Sequence, residues 1–345
     1  MISRGFAYNM KEALLYEKLG DKSVHCRLCA HECKIRDNGF GICGVRENSG
    51  GILYTHAYGN VVAANVDPVE KKPLYHFLPG SKSFSFAAAG CNFRCGFCQN
   101  WEISQIGPGV SSSLKEDEFL PNDIVDEALS NGCRSISYTY TEPTIFFEYA
   151  YDTARHARER SLRNIFVTNG YMTVACLKAI SPYLDAANVD LKFFKDASYK
   201  KICSASLAPV LDSIKLMKDL GIWVEITTLV IPGINDSQEE LASIARFILS
   251  VDKNIPWHVS GFHPDYKFKD YEQTPQETLR KAKKTGEDAG LKFVYAGNVY
   301  GWGNDTFCPF CNAELIKREG FKITKYNIKE NTCGNCRSVI AGVFN

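Results

Sequence analysis

No apolar run in this sequence approaches the ~18 residues that a membrane-spanning helix needs. The opening stretch, MISRGFAYNMKEALLYEKLG, lacks the basic-then-apolar pattern of a signal peptide, so a cytoplasmic protein is expected. Charge of one sign is missing as well. Forty basic against thirty-nine acidic residues leave a formal charge of +1, too little to draw the chain to nucleic acid or an anionic membrane. Low-complexity tracts are absent, and no GxGxxG turn follows the first strand-like run, which argues against a dinucleotide-binding sheet.

Cysteine is plentiful: there are fourteen in 345 residues. Disulfides would suit a small secreted chain, which this is not, so metal ligation is the better reading. Eleven fall into three sets: Cys26, Cys29, Cys33 and Cys43; Cys91, Cys95 and Cys98; Cys308, Cys311, Cys333 and Cys336. Cys133, Cys176 and Cys203 stand alone and read as small buried apolar side chains.

From Phe84 onward, short apolar runs alternate with helical stretches: FSFAAAG, SISYTY, NIFVTNG, ANVDLKF, IWVEITTLVI, WHVSGF and KFVYAG. Repeated strand-then-helix order predicts a parallel sheet with right-handed crossovers. The expected fold class is α/β, a partial (β/α)6-type TIM barrel with cysteine-rich metal-binding appendages at both ends. The expected domains are an N-terminal module over 1–80, the barrel over 81–300 and a zinc-ribbon-like module over 301–345. The apolar spacing of Leu241, Ile244, Ala245 and Ile248 predicts a helix, with Asp236 and Ser237 as its cap. ILYTHAYGNVVAANVDP alternates as a short hairpin would. Functional residues should gather at the carboxyl ends of the strands.

Cys91, Cys95 and Cys98 form C-x3-C-x2-C in GCNFRCGFCQNW, just past the first barrel strand. The usual 4Fe-4S cluster takes four cysteines, so three would leave one iron open for chemistry, whereas structural zinc wants a closed shell of four. This spacing, with Phe97 before the last cysteine, resembles the radical S-adenosylmethionine (SAM) superfamily. Together with CRLCAHEC, GICGVRENSGG, DPVEKKPLYHFLPGS, TYTEPT, VTNGY, DLKFF, LVIPGIND and VYAGNVYG, it resembles the AmmeMemoRadiSam-system member, related to pyruvate formate-lyase activating enzymes. The resemblance covers roughly residues 10–300.

That resemblance implies a 4Fe-4S cluster on the three cysteines, SAM on the open iron, and an external electron donor. It implies reductive cleavage to a 5'-deoxyadenosyl radical that takes hydrogen from an unidentified substrate, a small molecule or a glycine of a partner enzyme. It places Glu142 at the methionine amino group, although Tyr140 and Thr141 stand where relatives carry two glycines. Thr168, Asn169, Asp190 and Lys192 would approach the ribose and carboxylate, and His263 the adenosyl group. Plainer readings stand beside these: Glu142 before a proline could start a helix, Asp190 and Lys192 could be a structural ion pair, and His263 an ordinary loop residue. AMMECR1-like and Memo-like companions are further partners that the resemblance implies.

Cys308-x2-Cys311 and Cys333-x2-Cys336 have close to zinc-ribbon spacing, and zinc is the expected metal. Such a tail reads as a clamp over the barrel mouth or a protein contact sooner than as a nucleic-acid module. Cys26, Cys29, Cys33 and Cys43 could fold a knuckle around zinc or an auxiliary cluster, with His25 and His31 as possible substitutes. A non-catalytic zinc-binding scaffold is the reading from a different class.

Overall fold

The computed structural model describes residues 10–110, 119–299 and 301–345, so the first nine residues of the opening stretch and Tyr300 of VYAGNVYG lie outside the described residues. Its centre is an eight-stranded sheet. An antiparallel edge strand, β1 (Ala63–Pro68), pairs with β2 (Lys82–Ala87). Beyond β2 the order is sequential and parallel: β3 (Ser135–Tyr138), β4 (Arg163–Thr168), β5 (Ala186–Asp190), β6 (Trp223–Val230), β7 (Trp257–Gly261) and β8 (Val294–Gly297). All seven expected barrel strands are present. The sheet stays open, with β1 and β8 as its edges.

Among the described residues six longer helices fill the crossovers: α1 (Pro121–Ser130), α2 (Phe147–Glu159), α3 (Val174–Ile180), α4 (Ala208–Asp219), α5 (Gln238–Val251) and α6 (Gln276–Asp288). Each buries one apolar stripe on the sheet; in α5 these residues are Leu241, Ile244, Ala245, Phe247 and Ile248. Ser237 caps α5 as its sequence predicts, its hydroxyl accepting from the Glu240 amide at 3.3 Å.

The expected hairpin over ILYTHAYGNVVAANVDP does not form. Ile52–Thr55 instead turns back on Arg46–Ser49, while Ala63–Pro68 extends the main sheet as β1. Alternation identified the extended conformation, but both halves find partners outside the segment.

At the amino ends of the strands the chain is sealed from below. Val69, Leu74 and Phe77 pack on Ile165 and Ala186, near the starts of β4 and β5. The backbone amides of Tyr75 and His76 donate to the buried Glu225 carboxylate at 3.0 and 2.8 Å, which also accepts from Nε2 of His258 at 2.7 Å.

The C-terminal module docks on this same underside and does not clamp the mouth. After β8 the chain folds back along that strand, where the Ala296 amide donates to the Gly303 carbonyl at 3.0 Å. A Cβ at Gly303 would stand 2.7 Å from that of Ala296, so glycine allows the return. Thr306 thereby reaches Tyr295, and Arg318 lies over the Tyr75 ring at 4.2 Å, donating to the Tyr75 carbonyl at 2.8 Å.

His76 completes the joint. Its Nδ1 donates to the Ala341 carbonyl at 2.7 Å and its Nε2 accepts from the Tyr295 hydroxyl at 2.6 Å, an arrangement that needs the neutral ring. Burial lowers its pKa to about 4 from 6.5. A base depressed in the fold contributes stability above pH 6.5 that is lost as pH falls toward 4, at most about 3 kcal/mol. Thermal melts across that window are expected to show a falling melting temperature, with a flatter slope in His76→Gln; equal slopes would remove His76 as the cause.

Candidate functional site

β2 is followed by Ala88, Ala89 and Gly90, and the three central cysteines come next in the loop at the carboxyl edge of the sheet. Gly90 has φ +101°, and a Cβ there would meet Val45 at 2.7 Å and the Cys43 carbonyl at 3.0 Å, so only glycine passes. Gly96 is equally constrained, since a Cβ would stand 2.7 Å from the Phe268 ring.

Cys95 is buried, and Cys91 and Cys98 are partly so. Cys91 Sγ accepts from the Phe93 amide at 3.3 Å, and Cys98 Sγ lies 3.1 Å from the Ser104 hydroxyl. Cys95 Sγ stands 3.3 Å from Cys203 Sγ. Burial, then the neighbouring Glu142 and Cys95, push the Cys91 thiol well up; for Cys95 the bond to Cys203 leads, followed by burial. Thiols held protonated in this way bind a metal only by releasing protons.

Glu142 is buried and does two jobs. It caps the short turn Pro143–Phe146, accepting from the Thr144 amide at 3.0 Å and hydroxyl at 2.5 Å, as the plainer reading of Glu-Pro had it. It also accepts from the Thr168 hydroxyl at 2.7 Å and the Asn169 amide at 2.8 Å, tying the end of β4 to the turn after β3. Burial raises its pKa against the pull of these donors. Asn169 in turn donates to Asn92 Oδ1 at 2.7 Å and lies 3.9 Å from Cys91 Sγ. Glu142, Thr168, Asn169 and Cys91 thus form one connected group.

Lys192 and Asp190 pair at 2.8 Å. The lysine ammonium lies 5.8 Å from the centre of the Phe97 ring, which packs edge-on against Phe193 and Phe268. Burial opposes the lysine's charge, but the fields of Asp190, Cys95 and Cys203 outweigh it and hold its pKa well above the ordinary value. His263 stands apart, exposed in the loop after β7.

Two features escaped the sequence. Cys203 is buried as expected of a small apolar side chain, yet its sulfur meets that of Cys95; no local spacing links residues 108 positions apart. Tyr140, where relatives carry glycine, has φ 62°, the left-handed region. Its hydroxyl donates to Asp67 at 2.6 Å and Lys72 lies over its ring at 4.6 Å, contacts that offset a backbone cost of roughly 1–3 kcal/mol.

The two outer cysteine sets differ in shape. Cys308, Cys311, Cys333 and Cys336 bring their sulfurs within 4.8 Å of one another, with Cys308–Cys336 at 3.7 Å and Cys311–Cys333 at 3.8 Å. Among the described residues this is the only such group; neither the central trio nor Cys26, Cys29, Cys33 and Cys43 is drawn so tight. The N-terminal four instead line one small cavity, together with His31 and Arg46.

Comparison with known proteins agrees with the fold. The Radical SAM superfamily model matches residues 87–247. An uncharacterized protein of Methanocaldococcus jannaschii is 46% identical over 331 residues, 95% of this chain and 98% of its own length. A pyruvate formate-lyase-activating enzyme of Clostridium pasteurianum is 25% identical over 218 residues, 60% of this chain and 90% of that one. Among solved structures, Streptococcus suis SuiB bound to S-adenosylmethionine superposes with a TM-score of 0.50 at 14% identity, over 70% of this chain and 56% of SuiB. The chain belongs to the radical SAM superfamily and is homologous to pyruvate formate-lyase activating enzymes. No helix among the described residues is long and apolar enough to cross a membrane.

Replacing Glu142 by Gln turns an amide donor toward one of four donors that now meet a carboxylate. The expected cost is about 1–3 kcal/mol, read as a lower melting temperature of the metal-free chain; an unchanged melt would mean that the carboxylate does not hold the β3 and β4 loops together.

Proposed function

We propose that Cys91, Cys95 and Cys98 hold a 4Fe-4S cluster whose open iron takes SAM, and that the chain is an oxidoreductase of the activating-enzyme kind. The carrying observation is that these three thiols sit in the loop after β2 without closing to zinc-like distances, in a chain of this superfamily. The surroundings fit such a group. Asn92 Nδ2 is buried beside Cys91 with no acceptor, and the Phe93 amide already points at a sulfur, as donors to a cluster would. Cys203 is too close to Cys95 to serve a separate iron, so it leaves the fourth iron open.

When bound, the cluster supplies the single electron that splits the sulfonium into methionine and a 5'-deoxyadenosyl radical. The chain's own residues prepare for that event. Phe97, with Phe193 and Phe268, walls the trio against water. Lys192, kept charged by Asp190, offers a cation to the methionine carboxylate. Glu142 sets Thr168 and Asn169 for the ribose and retains acceptor capacity on Oε2 for the methionine amino group. His263, exposed in the loop after β7, is assigned to the adenosyl group on the family resemblance alone. A low-potential carrier protein is the electron source, and AMMECR1-like and Memo-like proteins are candidate companions. Homology to activating enzymes favours a partner protein's glycine as the hydrogen donor over a small molecule.

The C-terminal four are assigned zinc. Bonds of 2.3 Å in a tetrahedron put sulfurs about 3.8 Å apart, matching the observed 3.7 and 3.8 Å, whereas thiolates on separate irons of a cube stand farther apart.

Anaerobic protein given SAM and reductant is expected to form 5'-deoxyadenosine, and Cys91→Ala/Cys95→Ala/Cys98→Ala to form none while keeping its zinc. A full cluster with no nucleoside would overturn the reading, and zinc without iron would favour the scaffold. In the metal-free chain the Cys95 thiol donates to Cys203; with Cys95 deprotonated on the cluster, the Cys203 thiol would donate to its sulfur instead and so favour the more negative, reduced state. Redox titration of Cys203→Ala is expected to give a lower potential for the central cluster; an unmoved potential would mean that this contact does not tune it.

A further inference from the structure

The N-terminal cysteines have a geometry of their own. Cys26 ends the strand Val24–Cys26, Cys29 and Cys33 follow in the next loop and Cys43 comes from a second one; together they line one small cavity whose other walls include Ile35 and Ile145. Three of the four are buried. No three of their sulfurs fall within 4.8 Å of one another, a condition that the C-terminal four meet easily. Zinc needs all four sulfurs at about 3.8 Å, so the knuckle would have to collapse to bind it. Four thiolates spread around a void suit a four-iron cube, in which each thiolate binds its own iron.

A second observation is independent of the sulfurs. Arg46 lines the same cavity at 1% exposure, and its Nε–H has no acceptor although its Nη2 grips Glu148. A buried guanidinium donor without a partner costs stability. An anionic cluster in the cavity would give it one, beyond the ion pair that Arg46 already makes with Glu148.

The cavity also abuts the central loop. His31 Nε2 lies 2.8 Å from the Asn92 carbonyl, Arg94 donates to the Ile42 carbonyl, and Gly90 presses on the Cys43 carbonyl. Each contact joins a residue next to one cysteine set with a residue next to the other.

We propose that Cys26, Cys29, Cys33 and Cys43 hold a second 4Fe-4S cluster, which passes electrons one at a time from a low-potential carrier protein to the central site. The relay makes and breaks no bond: the carrier is oxidised by one electron, the second cluster takes it, and the central site receives it. The relay role rests on the radical-enzyme reading; the presence of the cluster does not.

The test is metal and sulfide analysis with electron paramagnetic resonance on the full chain, reconstituted anaerobically with iron and sulfide. Wild type is expected to hold about eight irons and the Cys91→Ala/Cys95→Ala/Cys98→Ala variant about four, the latter still giving a dithionite-reducible 4Fe-4S signal. That variant leaves the N-terminal thiols intact, so the outcome does not depend on an unfolded knuckle. Wild type with about four irons, all lost in the variant, and zinc at two sites would overturn the second cluster while leaving the radical reading standing. About four irons in both proteins would support the N-terminal cluster and overturn the central one. In the variant, Arg46→Lys is expected to shift the reduction potential of the remaining signal, and an unmoved potential would remove Arg46 as its partner.

Discussion

A guanidinium sealed from water, Arg46, meets the equally buried carboxylate of Glu148 at 2.6 Å, and much of the mouth of this sheet depends on that pair. Charges taken out of water are costly, and only close geometry with further hydrogen bonds repays it. Here the carboxylate also accepts from the Leu14 amide at 2.7 Å. Glu148 lies in the first turn of α2, directly after the turn that Glu142 caps; Arg46 begins the strand that follows Cys43. One ion pair therefore fixes the N-terminal cysteine loops against the helix that positions Glu142, and through Glu142 against the loops of β3 and β4. Removing either partner would leave a buried charge alone, a change that costs roughly 3–5 kcal/mol.

The sequence made the sheet legible because strands buried on both faces read as continuous apolar runs, and SISYTY or WHVSGF cannot be placed elsewhere. The central trio was legible because its ligands lie within eight residues of one loop. What stayed hidden was set by distance along the chain. Cys203 reaches Cys95 only after the crossover behind β5 folds, and the spacing of a lone cysteine carries no trace of that. The docking of the ribbon was hidden for the same reason. Its capacity to hold a metal follows from local Cys-x2-Cys pairs, but its place beneath the sheet follows from Gly303 and from Arg318 finding Tyr75 some 243 residues away. Alternation in ILYTHAYGNVVAANVDP marked extended chain, and pairing, a long-range choice, decided against the hairpin.

The two ends of the sheet divide their labour in physical terms. Below, Glu225, His258, His76, Tyr295 and Arg318 form a dry polar joint held by several short hydrogen bonds, with Arg318 Nε left without an acceptor. Such a joint is rigid and fixes the strand starts. Above, donors are left over: Asn92 Nδ2 and Arg46 Nε both lie buried without acceptors, each beside a cysteine set. Unsatisfied donors are tolerated in a native fold where something else is to satisfy them. Placed beside the thiols, these two donors are positioned to meet whatever the cysteines bind.

Tyr140 carries the same argument into the backbone. A non-glycine residue at φ 62° is strained. This chain accepts it and recovers a ring that bridges β1 to the β3 loop: the hydroxyl reaches Asp67, Asn65 donates to that hydroxyl, and Lys72, itself paired to Asp67 at 2.6 Å, covers the face. The same residue's carbonyl accepts from Asn100, two positions past Cys98. The strained turn thus links the antiparallel edge strand to the cysteine loop, a connection that a glycine side chain could not make.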